Sequence, residues 1–430
     1  MSAEEFNLQR AACHIDERLM AKCERIYCDM EKSRTSDNMA KVALVRCFSY
    51  EQAEVDDAVN KAADLLGGME TLLSDCEKTG RLVMKPNLLA KTTPDKACTT
   101  HPAVFKAVGK SLQKAGYKNL KYGDSPGMPM IKVEKVAEEC GIKESADELG
   151  IPLGDFEHGV QVEFEEGRTA DKFVLCEEII RADGIINICK MKTHQLERIT
   201  GAVKNTFGCV FGVNKGASHA KFPTAEVFGK MIADLNLLVS PKIHIMDGVV
   251  AMEGNGPQSG TPVPMNLILV SKDPVALDTV FCHLVNLDPK LVPTNVSGQE
   301  RGVGVYGNIS VVTEEGIITP QEEAYERYGN AKFDVQRSKN YKGVLKPIRF
   351  LAPFLEKKPV VNSDKCVGCG ICVKSCPVED KAVKLSEDKI AQYDYSKCIK
   401  CYCCQEMCPE KAITVKKSLL AKIADRKWRR

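Results

Sequence analysis

Two groups of residues in this chain have types and spacings that can do chemistry. The first is a repeated cysteine run. Cys366, Cys369, Cys372 and Cys376 precede Pro377, and Cys398, Cys401, Cys404 and Cys408 precede Pro409. Both follow the spacing C-x2-C-x2-C-x3-C-P. Nine of the 20 cysteines lie between Cys366 and Cys408, which is clustering for metal and not scatter for packing. Three thiolates two residues apart can wrap one corner of an iron–sulfur cubane, while the fourth, three residues on and before proline, leaves that loop. Zinc sites use other spacings. Cys403 fits no ligand position and reads as a free thiol beside the metal.

The second group is polar and scattered over the first 260 residues. Lys85, Lys190, Lys192 and Lys204 can hold an anionic substrate, with Asn205 and the backbone of Gly201, Gly208 and Gly212 as further donors. His194 and His219 can act as general acid, base or metal ligand. Asp124, Asp247 and Glu253 can complete a cation site. The expected catalytic set is Lys190, His194, Lys204, Asn205 and His219. The expected substrate-binding set is Lys85, Asn87, Asp124, Ser125, Asp247, Glu253, Gly254 and Gly256, the last two in a Gly-rich loop that can approach a ligand with its amides. Taken singly, an Asp or Ser after a strand is a cap and a buried Lys merely extends its stem.

The elements that position these residues follow from periodicity. Residues 41–47 (KVALVRC), 82–85, 120–122, 184–189 (GIINIC), 242–246 (KIHIM) and 266–270 (NLILV) predict strands. Residues 55–66, 102–115, 131–140, 224–238 and 274–285 predict helices. Strands interleaved with helices predict an α/β domain with a mostly parallel sheet and flanking helices. Lys85, Asn87, Asp124, Ser125, Lys190, His194 and Asp247 then fall at or just past carboxyl ends of strands, where open α/β sheets bind ligands. Gly302-x-Gly304-x-x-Gly307 fits the dinucleotide fingerprint by letter, but no strand precedes it and an extended segment follows, so it is rejected.

Both regions resemble known families. Residues 360–415 resemble the two-cluster bacterial ferredoxins, giving a small α+β module. That resemblance implies one [4Fe-4S] cluster on Cys366, Cys369, Cys372 and Cys408, and a second on Cys398, Cys401, Cys404 and Cys376. Each oxidised cubane with its thiolates carries about −2, partly offset by Lys365, Lys374, Lys397 and Lys400. The motifs KPNLL (85–89), HPAV (101–104), GDSPG (123–127), KMKTHQ (190–195), TGAVKNTFGCVFG (200–212), MDGVVAMEGNGP (246–257) and DPVALD (273–278) come in the order found in the family called domain of unknown function 362. That family is often described as uncharacterised iron–sulfur centre proteins, and many members carry the same C-terminal module. It brings no agreed reaction.

The expected organisation is a polar N-terminal arm over 1–40, the α/β domain over 41–335, a basic Pro-containing linker over 336–359, the ferredoxin-type module over 360–415 and a basic tail over 416–430. The 430 residues carry 60 Lys+Arg against 58 Asp+Glu, a balance that argues against nucleic-acid binding as the main task. An apolar fraction of 44% excludes disorder for most of the chain. No apolar stretch long enough to span a membrane occurs and residues 1–10 lack a signal-peptide core, so a cytoplasmic protein is expected.

Three functions follow. The first is an iron–sulfur oxidoreductase that moves electrons between a redox partner protein or electron carrier and a polar site in the α/β domain, with two [4Fe-4S] clusters and an anionic small-molecule substrate. A further metal or a flavin is left open. The second is a ferredoxin-like carrier whose large domain only docks a partner enzyme. The third is a non-redox enzyme or maturation factor with structural or sensory clusters.

Overall fold

The computed structural model describes residues 39–338 and 357–416, apart from Pro129 and Val213. The polar arm with Cys13, Cys23 and Cys28, most of the linker and nearly all of the basic tail lie outside the described residues.

The larger part is built on one sheet. Its strands are β1 (Ala40–Arg46), β2 (Leu82–Pro86), β3 (Leu120–Tyr122), β6 (Gly184–His194), β7 (Arg198–Thr200), β8 (Ile243–Glu253), β9 (Thr261–Ser271), β10 (Ile309–Thr313) and β11 (Gly316–Ile318). The spatial order is β11-β10-β1-β9-β8-β6-β2-β3, with β7 added alongside β6. β8, β6, β2 and β3 pair in parallel, as do β10 and β1. Antiparallel β9 sits between β8 and β1. A separate hairpin, β4 (Gly159–Glu163) and β5 (Lys172–Cys176), lies off the sheet.

Successive strand residues face opposite sides, and β1 shows it. Ala43 and Val45 belong to one core with Val59, Val108 and Ile232, which come from the helices Gln52–Asp64, Pro102–Lys114 and Ala225–Val239. Val42 and Leu44 belong to a second core with Leu277 and Phe281 of the helix Pro274–Leu284. The sheet is therefore covered on both faces, and β6 is buried along its whole length.

β6, β8 and β9 each run 11 residues, well past the apolar runs that announce them. The register of β8 against β6 jumps from Lys190↔Asp247 to Lys192↔Met252, a bulge that leaves extra β8 residues unpaired with β6. The hairpin of β8 and β9 reaches the C-terminal module. That module pairs β12 (Lys358–Val361) with β15 (Ile413–Lys416), and β13 (Val383–Leu385) with β14 (Ala391–Tyr393). Gln405 Nε2 donates to Asn255 O at 2.9 Å and Asn255 Nδ2 donates to Ile413 O at 3.3 Å, so the β8–β9 loop clasps the module. Gly302, in the rejected fingerprint, is the left-handed cap of the helix Pro293–Arg301.

Candidate active site

The carboxyl ends of β2, β3 and β6 meet a cavity of about 530 Å³ whose other wall is the C-terminal module. Its floor is held by buried ionic and amide contacts. Lys85 Nζ lies 2.9 Å from Asp124 Oδ1, and Asp124 Oδ2 accepts from Leu88 N at 2.7 Å. Gly208 presses against this pair so closely that a Cβ would overlap Asp124 Oδ1, which explains a glycine there. Lys192 Nζ donates to Asn87 Oδ1 at 3.0 Å and to Cys98 O at 2.6 Å. Asn87 Nδ2 donates to Asn205 Oδ1 at 2.8 Å, and Asn205 Nδ2 to Asn187 Oδ1 at 2.7 Å. The amides form one chain with its donors pointing one way, so each orients the next.

Lys204 and Asn205 sit on a single helical turn, Ala202–Asn205. Its free N–H groups are met by Asp278, whose carboxylate accepts from Ala202 N at 2.6 Å and Val203 N at 3.1 Å. Gly201 is needed because a Cβ would overlap that carboxylate. The DPVALD motif is thus a pair of caps: Asp273 accepts from Ala276 N at 2.8 Å on its own helix, and Asp278 caps the helix that carries the site.

Of the expected site residues, Asn87, Asp124, Ser125, His194, Lys204, Asn205 and His219 line the cavity together, and Lys85 lies just behind Asp124. Lys190 and Asp247 do not reach it. They form a separate buried pair at 2.7 Å, joined by Tyr50, whose hydroxyl donates to Asp247 Oδ1 at 2.9 Å and accepts from Lys190 at 2.8 Å. The same hydroxyl accepts from Val250 N at 3.1 Å, inside the β8 bulge, so this cluster staples the bulge. Glu253, Gly254 and Gly256 do not line the cavity either. Glu253 accepts from Asp334 N at 2.7 Å, Gly254 O accepts from Gln195 Nε2 at 3.0 Å, and Gly256 packs on Thr193 O. Their loop holds the module and places Pro257 in the cavity wall.

His194 differs from its expected role. Its Nδ1 accepts from Leu196 N at 3.1 Å and Glu197 N at 3.2 Å. Burial keeps the ring neutral, with Lys204, His219 and Lys192 adding to the effect. A neutral ring whose Nδ1 is an acceptor carries its hydrogen on Nε2. His194 therefore offers the cavity a donor, and has no lone pair there for a metal or for accepting a proton. His219, pushed down to about 3 by burial, is also neutral, stacked 4.4 Å from Phe228.

Several further residues line the cavity that the sequence does not assign to this site. Lys215, pushed down to about 8 by burial, donates to the carbonyls of Ser125 and Pro126. Thr200 and Phe207 complete the α/β wall, and Lys374, Cys376, Cys403, Glu406 and Met407 come from the module. Burial also lowers Lys192 and Lys204, opposed at Lys204 by Glu406 and Glu197.

The cysteines fall into two sets. Cys366, Cys369, Cys372 and Cys408 surround one small apolar space, and Cys376, Cys398, Cys401 and Cys404 another. None is in a disulfide. Ala412 N donates to Cys408 Sγ at 3.3 Å and Tyr393 OH to Cys404 Sγ at 3.0 Å. All-sulfur donor sets with hydrogen bonds to the sulfurs suit iron–sulfur clusters. Cys376 borders both its own set and the large cavity, and Cys403, hydrogen-bonded to Cys401, also faces the cavity.

Residues 82–283 match the family model of a domain of unknown function, DUF362, and residues 358–409 match that of a 4Fe-4S dicluster domain. A thylakoid-associated protein of Synechocystis sp. is 36% identical over 267 residues, 60% of this chain and 78% of that protein. The chain belongs to the DUF362 family. This DUF362 protein is an iron–sulfur protein whose second matched domain contains both cysteine sets. Among solved structures, the lactate racemase apoprotein from Thermoanaerobacterium thermosaccharolyticum is 13% identical with a TM-score of 0.37, covering 56% of each chain. A protein from Thermotoga maritima is 11% identical with a TM-score of 0.33, over 60% of this chain and 59% of that one. The DUF362 chain thus spans just over half the length of each, and likenesses this weak bear on neither its fold nor its chemistry. No helix among the described residues is long and apolar enough to cross a membrane.

Proposed function

We propose that this protein is an iron–sulfur oxidoreductase. Two [4Fe-4S] clusters, one on Cys366, Cys369, Cys372 and Cys408 and one on Cys376, Cys398, Cys401 and Cys404, connect a redox partner protein to a small molecule in the cavity. The observation that carries this reading is the position of Cys376. It belongs to the second cysteine set and to the wall of the cavity that His194, Lys204 and Asn205 face. Bound clusters would supply electrons one at a time. The chain's own residues do the rest. The Asn87–Asn205–Asn187 chain fixes donors, His194 presents a proton at Nε2, and Phe207, Met128 and Met407 exclude water. The lysines favour an anionic substrate. A domain that only docked a partner would not need buried histidine, lysine and amide groups facing a cavity that a cluster ligand borders. Buried free thiols throughout the α/β domain support a reducing, cytoplasmic setting.

Protein isolated without oxygen and with ample iron should hold about eight iron and eight acid-labile sulfide per chain. After reduction, electron paramagnetic resonance should show two cluster signals, of which Cys376→Ser disturbs one. Metal-free protein, or a Cys376→Ser variant with both signals unchanged, would overturn the proposal.

A further inference from the structure

The cavity gathers polar atoms that have nothing to bond. His194 Nε2, His219 Nδ1 and Thr200 Oγ1 are buried, lack a hydrogen-bond partner among the described residues, and line this one space. Lys204 joins them. Its ammonium lies 4.6 and 5.2 Å from the ring centroids of Phe207 and Phe228 and makes no hydrogen bond or ion pair with the described residues. A buried polar group left unmet costs about 1–3 kcal/mol, so such a group of atoms calls for a ligand or ordered water. Two of these, Lys204 and the His194 Nε2–H, are certain donors, and together they match an oxyanion.

Charge and size narrow the class further. Lys192, Lys204, Lys215 and Lys374 line the cavity against the carboxylates Asp124 and Glu406. Asp124 is already paired with Lys85. Glu406 Oε1 lies 3.9 Å from His194 Nε2, too far to satisfy it, and is the one carboxylate lining the cavity that has no lysine partner among the described residues. The remaining wall is apolar, with Leu89, Met128, Pro257 and Met407. About 530 Å³ is the volume of an organic ligand's site, and an inorganic ion would leave it mostly empty.

We infer that the cavity binds an amphipathic organic acid, its carboxylate or phosphoryl oxyanion held between Lys204 Nζ and His194 Nε2–H and its apolar body against Leu89, Met128 and Met407. This deepens the oxidoreductase reading by naming the substrate class. It rests on that reading only for the meaning of the site, because binding is read without turnover.

The test is calorimetric titration of the anoxic, cluster-loaded full chain with matched pairs: benzoate and benzamide, phenyl phosphate and phenol, hexanoate and hexanamide, with inorganic phosphate alongside. At least one organic acid should bind, and its uncharged partner should bind at least about tenfold more weakly. Lys204→Gln should weaken that acid by about ten- to a hundredfold, the range for a lost charged hydrogen bond, and His194→Phe should weaken it by less. Cluster absorbance, recorded on every variant, verifies that the module is intact. The proposal fails if no acid binds, if the neutral partners bind as well, if inorganic phosphate binds more tightly than every organic acid, or if Lys204→Gln with normal cluster absorbance binds as before. A failure here with two clusters present leaves the electron-transfer proposal standing, and missing clusters with intact acid binding do the reverse.

Discussion

Lys190 separates a structural from a catalytic account of this domain. The sequence places it beside Lys192 and His194 as a site residue, whereas in the fold it is buried and paired with Asp247 at 2.7 Å. Removing one partner of such a pair leaves an uncompensated buried charge and costs about 3–5 kcal/mol. The two partners should not cost the same. Lys190→Met leaves Asp247 with the Tyr50 hydroxyl at 2.9 Å and His101 N at 2.9 Å, so the loss should fall near about 3 kcal/mol. Asp247→Leu leaves the Lys190 ammonium with Tyr50 alone among the described residues, so the loss should approach about 5 kcal/mol. The double variant Lys190→Met/Asp247→Leu should recover much of the loss, since a buried pair replaced by apolar groups is often close to neutral. The assay is urea unfolding followed by circular dichroism. With a slope of about 3 kcal/mol per molar urea, the single variants should shift the midpoint down by about 1–1.7 M. Ligand affinity measured in the folded range should be unchanged. A Lys190→Met protein of undiminished stability that has lost ligand binding would refute this reasoning and return Lys190 to the site.

Three further outcomes are expected. Lys215 is held down to about 8 by burial, so it loses its charge as the pH rises through that value; affinity for an organic acid should fall across it, and calorimetry that finds affinity rising with pH would contradict this. Gly208→Ala forces a methyl group into Asp124 Oδ1 and toward Lys85, and should cost at least about 1–3 kcal/mol in unfolding experiments while abolishing ligand binding. Gln405→Leu leaves Asn255 O without its 2.9 Å donor, and should speed hydrogen exchange across residues 254–260 without changing exchange in β2 or β6; unaltered exchange in that loop would remove its role as a clasp.

The sheet was legible because its strands are apolar runs broken by polar turns, and helices of period 3.6 separate them. What periodicity did not carry was the length of β6, β8 and β9. Their continuations hold Lys190, Lys192 and Asp247, which resemble loop residues until their partners are known. Lys190, Lys192 and His194 alternate along β6 and so share a face, as the sequence implies. Sharing a face is not sharing a site. At about 3.3 Å per strand residue, Lys190 and His194 stand about 13 Å apart; Tyr50 and Asp247 pair with the first, while the cavity and the module's Glu406 face the second. Glycine permits close approach, so from sequence the Gly-rich loop can meet a ligand; the close approach exists, but to Thr193 and the module. Cysteine spacing announced the metal because it is local. The contribution of Lys374, Glu406 and Met407 to the cavity depends on how two units dock, which no local pattern encodes.

The account depends on the second cysteine set and the cavity being electrostatic neighbours. A redox titration of both clusters, followed by electron paramagnetic resonance in the unaltered protein and in Lys204→Met at pH 6, tests this directly. Removing a cation beside one cluster should make that cluster's potential more negative by some tens of millivolts and leave the other in place. Two potentials that both stay fixed, or both move equally, would contradict it.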